Sequence, residues 1–350
     1  MRIGIVINDI DTELANFSTT CLAMNATNMG HEVWYINVAD FAYDPDEQVH
    51  AHTCRVPKKQ YRSQSAFLEK VRGKSAQRER ISIEDLDVLL LRNDAAQDAN
   101  KRPWARLAGI NFGRLAMRHG VIILNDPNGL AKAINKMYLQ YFPEEVRPRT
   151  LISRNYDEIK AFIREQNDYA VLKPLSGSGG HNVFLVQPED KPNINQMIEA
   201  VSHDDYVIAQ EYLPEAVHGD TRLILMNGYP LSCKGRYAAY HRERQPGDSD
   251  MRSNITAGAI ARKAHITEDM LQLAETVRAK LIQDGMFLVG LDIVGNKLME
   301  INVFSPAGLT GSGQLEERNF CREVILALER KVDHRRNYPE NFDNLELATL

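Results

Sequence analysis

The sequence predicts an α/β protein that opens on a helix-flanked parallel sheet and continues into a larger α+β region. Three observations carry that expectation. Over the first 126 residues, short apolar runs dense in β-branched side chains alternate with helical stretches, the pattern of a buried parallel sheet. Beyond residue 169 the pattern turns to apolar runs separated by turn residues, as in hairpins. The length of 350 residues, at roughly 150 residues per domain, corresponds to two or three compact units.

Composition narrows the function classes. With 43% hydrophobic and 25% charged residues, the chain is no disordered polymer, collagen-like fibre or small disulfide scaffold. Its 42 basic and 47 acidic side chains give a net charge of −5, which argues against nucleic acid or an anionic membrane as a bulk partner. Apolar runs such as 88–91 and 121–124 fall far short of the ~18 residues a membrane span needs. Asn8, Asp9, Asp11 and Glu13 interrupt the N-terminus where a signal peptide would be apolar, so a cytoplasmic protein is expected. Cys21, Cys54, Cys233 and Cys321 lie far apart, and His50 and His52 near Cys54 lack a second ligand pair. Free, partly buried thiols are therefore expected rather than disulfides or zinc.

The elements follow in order. Arg2-Ile3-Gly4-Ile5-Val6-Ile7-Asn8 reads as a buried strand, and residues 18–29 as a helix closed by Gly30. Strands are expected at 32–38, 86–92 and 121–126, with a helix at 113–119. The segment 56–80 carries eight basic and two acidic residues; with little aromatic interleaving it reads as a solvated loop or helix face rather than a nucleic-acid arm. One helix is expected from 128 to 142, through Lys136, then a strand at 150–153 and a helix at 157–165 with Ile159, Phe162 and Ile163 on one face. The tail after Lys331 is polar and turn-rich and reads as peripheral.

Three constellations could carry chemistry. In Val171-Leu172-Lys173-Pro174-Leu175 a strand ends in lysine and enters the loop Ser176, Gly177, Ser178, Gly179, Gly180. Such glycines let backbone N–H groups converge on an anion, although a flexible hairpin loop has the same composition. No Gly-Lys-Ser/Thr ends the loop, so it is not a P-loop. In Val207-Ile208-Ala209-Gln210-Glu211-Tyr212-Leu213-Pro214 a strand runs into polar residues and an apolar corner. That suits a purine pocket, or simply a strand leaving its sheet.

The third constellation is a hairpin around Gly295-Asn296-Lys297. Phe287, Val289, Leu291, Ile293, Met299, Ile301 and Val303 form one apolar face, and Gly290, Asp292, Glu300 and Asn302 the other. Parity keeps these sets together if paired residue numbers sum to 592, which places Asp292 opposite Glu300 and predicts a three-residue connection. Two carboxylates and an amide oxygen on one face suit magnesium; a general acid/base pair and a plain solvent face remain open alternatives.

Taken together these motifs resemble the ATP-grasp superfamily, and most closely its bacterial glutathione synthetases. The resemblance spans about residues 1–330 and rests on Ala51-His52-Thr53, Leu86-Asp87-Val88, Leu172-Lys173-Pro174-Leu175, Tyr212-Leu213-Pro214, Gly219-Asp220, Gly290-Leu291-Asp292-Ile293 and Glu300-Ile301-Asn302-Val303 with Ser305-Pro306. It implies an N-terminal α/β domain (1–126), a lid subdomain (127–205), a metal-bearing subdomain (206–330) and a tail (331–350), with ATP between the two subdomains. It further implies that Lys136 and Lys173 hold ATP phosphates, that the loop Ser176–Gly180 closes over them, and that Gln210, Glu211, Tyr212 and Leu213 contact adenine. Asp220 would join the nucleotide site, and Asp292, Glu300 and Asn302 would ligate Mg2+ (or Mn2+). Arg222 corresponds to an arginine near the phosphates and the acceptor, and the stretch 236–258 to a mobile covering loop that contains Arg252 and Asn254. The implied activity is ATP-dependent amide formation through an acyl phosphate, from small-molecule acid and amine substrates, in a homo-oligomer.

The departures from the family cluster on the acceptor side. The family's Arg-Lys-Asp-Pro-Pro-x-x-Asp segment stands here as Arg92-Asn93-Asp94-Ala95-Ala96-Gln97-Asp98, its Gly-Gly after the loop as Gly258-Ala259, and a threonine before Ser305 as Phe304. Glutathione synthesis is the expected reaction, with another peptide or amino-acid ligase, or a non-catalytic ATP-binding module, as the alternatives.

Overall fold

The computed structural model describes residues 1–55, 57, 60–98, 102–177, 181–203, 205–244, 259–339 and 341–350. Its N-terminal sheet grows from β1 (Arg2–Ile7), the run whose isoleucines and valine are almost wholly buried. Helix α1 (Ser18–Asn28), β2 (Glu32–Asn37), β3 (Phe41–Tyr43), β4 (Val49–Arg55), α2 (Gln64–Arg72), β5 (Gln77–Ser82), β6 (Val88–Leu91), α3 (Ala95–Asp98), α4 (Ala108–Met117) and β7 (Ile122–Leu124) follow. The sheet order is β3-β4-β2-β1-β6-β7, with β5 on β4. Strands β2, β1, β6 and β7 run parallel, as the continuous apolar runs require, while β3, β4 and β5 add antiparallel pairs at one edge. The basic segment thus holds a helix with Phe67, Leu68 and Val71 buried and the strand β5, whose residues 77–80 are exposed.

Asp126 caps α5 (Pro127–Lys132) by accepting from the N–H groups of Asn128 and Gly129. The single helix expected over 128–142 is instead two, because Asn135 interrupts it and caps a separate 3-10 helix, Lys136–Tyr141. The second sheet, in the order β10-β9-β11-β8, is antiparallel. It comprises β8 (Thr150–Ser153), β9 (Ala170–Pro174), β10 (Phe184–Val186) and β11 (Val207–Glu211), backed by α6 (Tyr156–Glu165) and α7 (Ile194–Ser202). Ile159, Ile163, Leu172, Ile198 and Ala209 belong to a hydrophobic cluster confined to this unit.

The third sheet has the order β17-β16-β12-β18-β19. Its strands are β12 (Asp220–Met226), with β13 (Tyr229–Pro230) paired to its end, β16 (Ala239–Glu243), β17 (Ile260–Lys263), β18 (Leu288–Val294) and β19 (Lys297–Asn302). A small ribbon, β14 (Ser232–Cys233) with β15 (Arg236–Tyr237), precedes β16, and α8 (Glu268–Gln283) precedes β18. Two clusters mix residues of the first and third sheets, for example Leu91 with Leu291 and Ile3 with Leu288. These two sheets therefore share cores, whereas the second sheet has its own.

The structure corrects several expectations. Asp292 does face Glu300, but β18 and β19 close with Val294 opposite Lys297 through a two-residue turn, not three. A β-bulge after Asp292 absorbs the extra residue and restores parity. The covering loop expected from residue 236 begins as strand, since residues 239–243 form β16. The tail is no peripheral appendage. Helix α9 (Leu309–Glu316) leads to α10 (Phe320–Asn337), inside which Lys331 is fully buried, and then to α11 (Asn344–Thr349) with Leu347 and Ala348 buried. The Lys331 ammonium donates to the carbonyls of Leu347 (2.9 Å) and Ala348 (3.1 Å), closing the last helical turn. Cys21 and Cys321 are not free thiols: α1 packs on α10, their Cα atoms lie 6.2 Å apart, and a disulfide joins them across 300 residues. No sequence spacing reveals such a pairing. Cys54 and Cys233 are free.

Candidate active site

One face of the third sheet gathers the polar residues. Strand alternation sends Asp220 and Arg222 of β12, Arg242 of β16, Asp292 of β18, and Glu300 and Asn302 of β19 to the same side. The ladder sets Asp220 opposite Arg242, Arg222 opposite Asp292, and Asp292 opposite Glu300. Gly290 leaves the room Arg222 needs to lie across the sheet, because a Cβ there would meet Arg222 Cδ at 3.1 Å.

Asp292, Asp220, Arg222 and Arg242 form a buried charge quartet, each no more than 7% exposed. Arg222 grips Asp292 through Nε to Oδ1 and Nη2 to Oδ2, the latter at 2.8 Å. Arg242 contacts Asp292 at 2.7 Å and holds Asp220 through Nε at 2.9 Å. Burial alone would push the Asp292 carboxyl up, but Arg222 and Arg242 overcome it and hold it well below the usual carboxylate range. Likewise burial would lower both guanidiniums, and the aspartates raise them instead. Asn302 Nδ2 donates to Asp292 Oδ2 at 3.3 Å.

Above this face lies a cleft walled by all three units. Lys136, Lys173, Leu175, Gly177, Ile208, Gln210, Glu300, Asn302, Phe304 and Ser305 line it, with Asp94, Ala95 and Ala96 from the N-terminal unit. Lys173, at the end of β9, donates to Gln210 Oε1 at 2.9 Å, and Gln210 donates to Thr150 Oγ1 at 3.2 Å. Burial pushes the Lys173 ammonium down to about 8, against the pull of Glu300 and with the push of Lys136. Lys136 and Lys173 thus converge on a cleft that also carries the carboxylates of Glu300 and Asp94, a lining that can meet an anion and a cation together. Lys136 Nζ reaches the carbonyl of Gly177, whose φ of +115° suits glycine, while Ser176 N–H is held by Asp205 Oδ2 at 2.9 Å.

Of the residues read as purine contacts, Gln210 is fully buried and Leu213 nearly so. The Tyr212 ring stacks on Tyr169 at 6.3 Å, and Glu211 accepts from Arg149 N–H at 3.0 Å. Asp220, assigned to the nucleotide from sequence, is engaged by Arg242. Ser178, Gly179, Gly180, Arg252 and Asn254 lie outside the described residues. Sequence reasoning missed Arg242, Thr150 and Asp205. Arg242 fell within the stretch read as a covering loop, and its place opposite Asp220 depends on the pairing of β16 with β12.

The comparisons with known proteins agree with this architecture. The model of the prokaryotic glutathione synthetase N-terminal domain matches residues 1–131, and that of its ATP-grasp domain residues 135–317. The glutathione synthetase of Synechococcus elongatus is 30% identical over 337 residues, 95% of this chain and 99% of the relative. That of Vibrio parahaemolyticus is 29% identical over 95% of this chain and 99% of its own length. That of Escherichia coli K12 is 29% identical over 87% and 90%. Among solved structures, the D-cycloserine synthetase DcsG superposes with a TM-score of 0.64 at 14% identity, covering 94% of this chain and 99% of its own. The ATP-grasp ligase PsnB, solved with a minimal precursor, Mg and ADP, gives 0.58 at 16% identity over 95% and 98%. At such identities these two speak for the fold.

Proposed function

Because the chain belongs to the prokaryotic glutathione synthetase family and is an ATP-grasp ligase, we propose that it joins γ-glutamylcysteine to glycine at the expense of ATP. The substrate carboxylate attacks the γ-phosphorus, ADP leaves, and an acyl phosphate forms. The glycine amine then attacks the acyl carbon, phosphate leaves, and the amide nitrogen sheds its proton. The reaction asks the protein for position and charge rather than for a nucleophile of its own.

The observation that carries this reading is the convergence of Lys136 and Lys173 on a cleft that also holds Glu300 and Asn302. Lys136 and Lys173 would offset phosphate charge, Gln210 to Leu213 would seat the adenine, and Arg222 would face the transferred group. The loop 176–180 and the stretch with Arg252 and Asn254 would exclude water, to which an acyl phosphate is labile. Glu300 and the Asn302 amide oxygen would offer the cleft oxygen donors, which fits a hard cation such as Mg2+ or Mn2+, and Asp292, whose two oxygens accept from Arg222 and Arg242, would join them by giving up part of that grip. When bound, such a cation supplies charge neutralisation at the phosphates.

The test is release of ADP and phosphate, which should require both γ-glutamylcysteine and glycine. Absence of turnover with any mixture of the two would retire these substrates. A second reading, ligation of a different acid or amine, is favoured by Ala95 and Ala96 in the cleft wall, where the family carries prolines. A panel of acids and amines scored for phosphate release separates the two.

A further inference from the structure

Asn8, the residue that follows β1, forms a two-sided clamp on the cleft wall. Its Oδ1 accepts from the N–H of Asp94 at 2.8 Å, while its Nδ2 donates to the carbonyl of Asp94 at 2.9 Å and to Asp98 Oδ2 at 2.7 Å. The partners fix which way the amide points, since an N–H faces its oxygen and two acceptors face its nitrogen. Arg102 closes the set from outside, donating to the Asn8 carbonyl at 3.0 Å and to Asp98 Oδ1 at 2.9 Å. Asp98 is 3% exposed, so this is a built joint rather than a surface contact.

The clamped segment matters for its position. β1 and β6 are parallel neighbours, and residues 94–98 leave the carboxyl end of β6, the side on which open α/β sheets place their ligands. Asp94, Ala95 and Ala96 wall the same cleft as Lys136 and Lys173. The second and third sheets supply the remaining walls, and the family's nucleotide lies between those two. The wall from the first sheet is thus left to face whatever accepts or attacks the phosphoryl group. We propose that Asn8 is a positioning residue for this wall, setting the fit of the acid or amine substrate and not that of the nucleotide.

An aspartate at this position would keep the shape and reverse the chemistry. It would present oxygen to the Asp94 carbonyl and to the Asp98 carboxylate, replacing two attractions by two repulsions. Asp98→Asn in the same chain would restore a donor opposite residue 8. The inference rests on the ligase reading above, so the experiment has one arm independent of it. Amide hydrogen exchange of the substrate-free protein reads the clamp, and steady-state kinetics with ATP, γ-glutamylcysteine and glycine read its consequence. In Asn8→Asp, exchange at residues 94–98 should quicken, and KM for an acceptor should rise about tenfold with KM for ATP within about twofold, a pattern of lost orientation. The double variant with Asp98→Asn should recover a large part of both. Unchanged exchange at 94–98, or KM values for ATP and acceptors rising together, would overturn the proposal. Quickened exchange in a protein whose unaltered form ignores both acceptors would support the clamp while retiring the proposed substrates.

Discussion

Replacing Asp292 by asparagine should cost the fold about 3–5 kcal/mol, before any effect on catalysis is considered. The side chain keeps its shape, so the change removes charge alone. In the native quartet two guanidiniums face two carboxylates and the buried net charge is zero. Asp292→Asn leaves two cations to one anion in a site where every member is almost fully buried. Truncating one partner of a buried pair costs ~3–5 kcal/mol. In the same direction, Arg222 and Arg242 hold the Asp292 carboxyl down to about 2, so its ionised form adds stability at neutral pH. Because the folded value is depressed, that stability is present above pH ~4 and is lost as the pH falls through ~2. Urea unfolding followed by circular dichroism measures it, the midpoint falling without a change in slope. Adding Arg242→Gln restores neutrality, so the double variant should lose less than the sum of the two single changes. A loss below about 1 kcal/mol, or strict additivity, would refute the quartet as a unit.

Glu300→Gln should abolish turnover while leaving the unfolding midpoint within experimental error, and near-normal activity would remove the metal assignment. Lys173→Ala should weaken ATP binding about 10–100-fold by calorimetry, whereas an unchanged affinity would contradict its phosphate role. Glu13 is buried with only partial compensation from Arg92, a hydrogen bond from Thr20, and Arg72, so desolvation pushes its carboxyl up to about 7. A raised acid holds its proton more tightly in the folded state, so its contribution is full below pH ~4.5 and lost as the pH rises through ~7. Glu13→Gln should therefore gain stability over the unaltered protein between pH 5 and 8, and a melting-temperature difference flat in pH would contradict that. Cys21→Ser should expose one additional reactive thiol under denaturing, non-reducing conditions and lower stability by about 2–5 kcal/mol; an unchanged thermal midpoint would show that helix packing alone holds α1 to α10.

Legibility from sequence varied with the range of the interaction concerned. The strand β1, the helix α6 and the facing of Asp292 and Glu300 were all readable, because each follows from local periodicity or parity. The two-residue turn was not, since the bulge that preserves parity is a backbone adjustment with no residue signature. The tail misled because its polar composition conceals that Asn344 bonds both N–H and C=O of Ile123, and that the buried Lys331 ammonium donates to the carbonyls of Leu347 and Ala348. Lys136 was found by resemblance, but the break at Asn135 that aims it was not.

By itself the sequence determined the α/β class, the chemistry-bearing residue types, and the face of the hairpin that carries them, since period and parity are properties of neighbours along one strand. Only the tertiary structure decided that Asp292 lies between two arginines, that Cys21 meets Cys321, and that Asn8 clamps the wall beside the two lysines. Those contacts join residues from 50 to 300 positions apart. Their existence depends on which sheet faces stack, and that is settled by shared burial across the whole chain rather than by any local pattern.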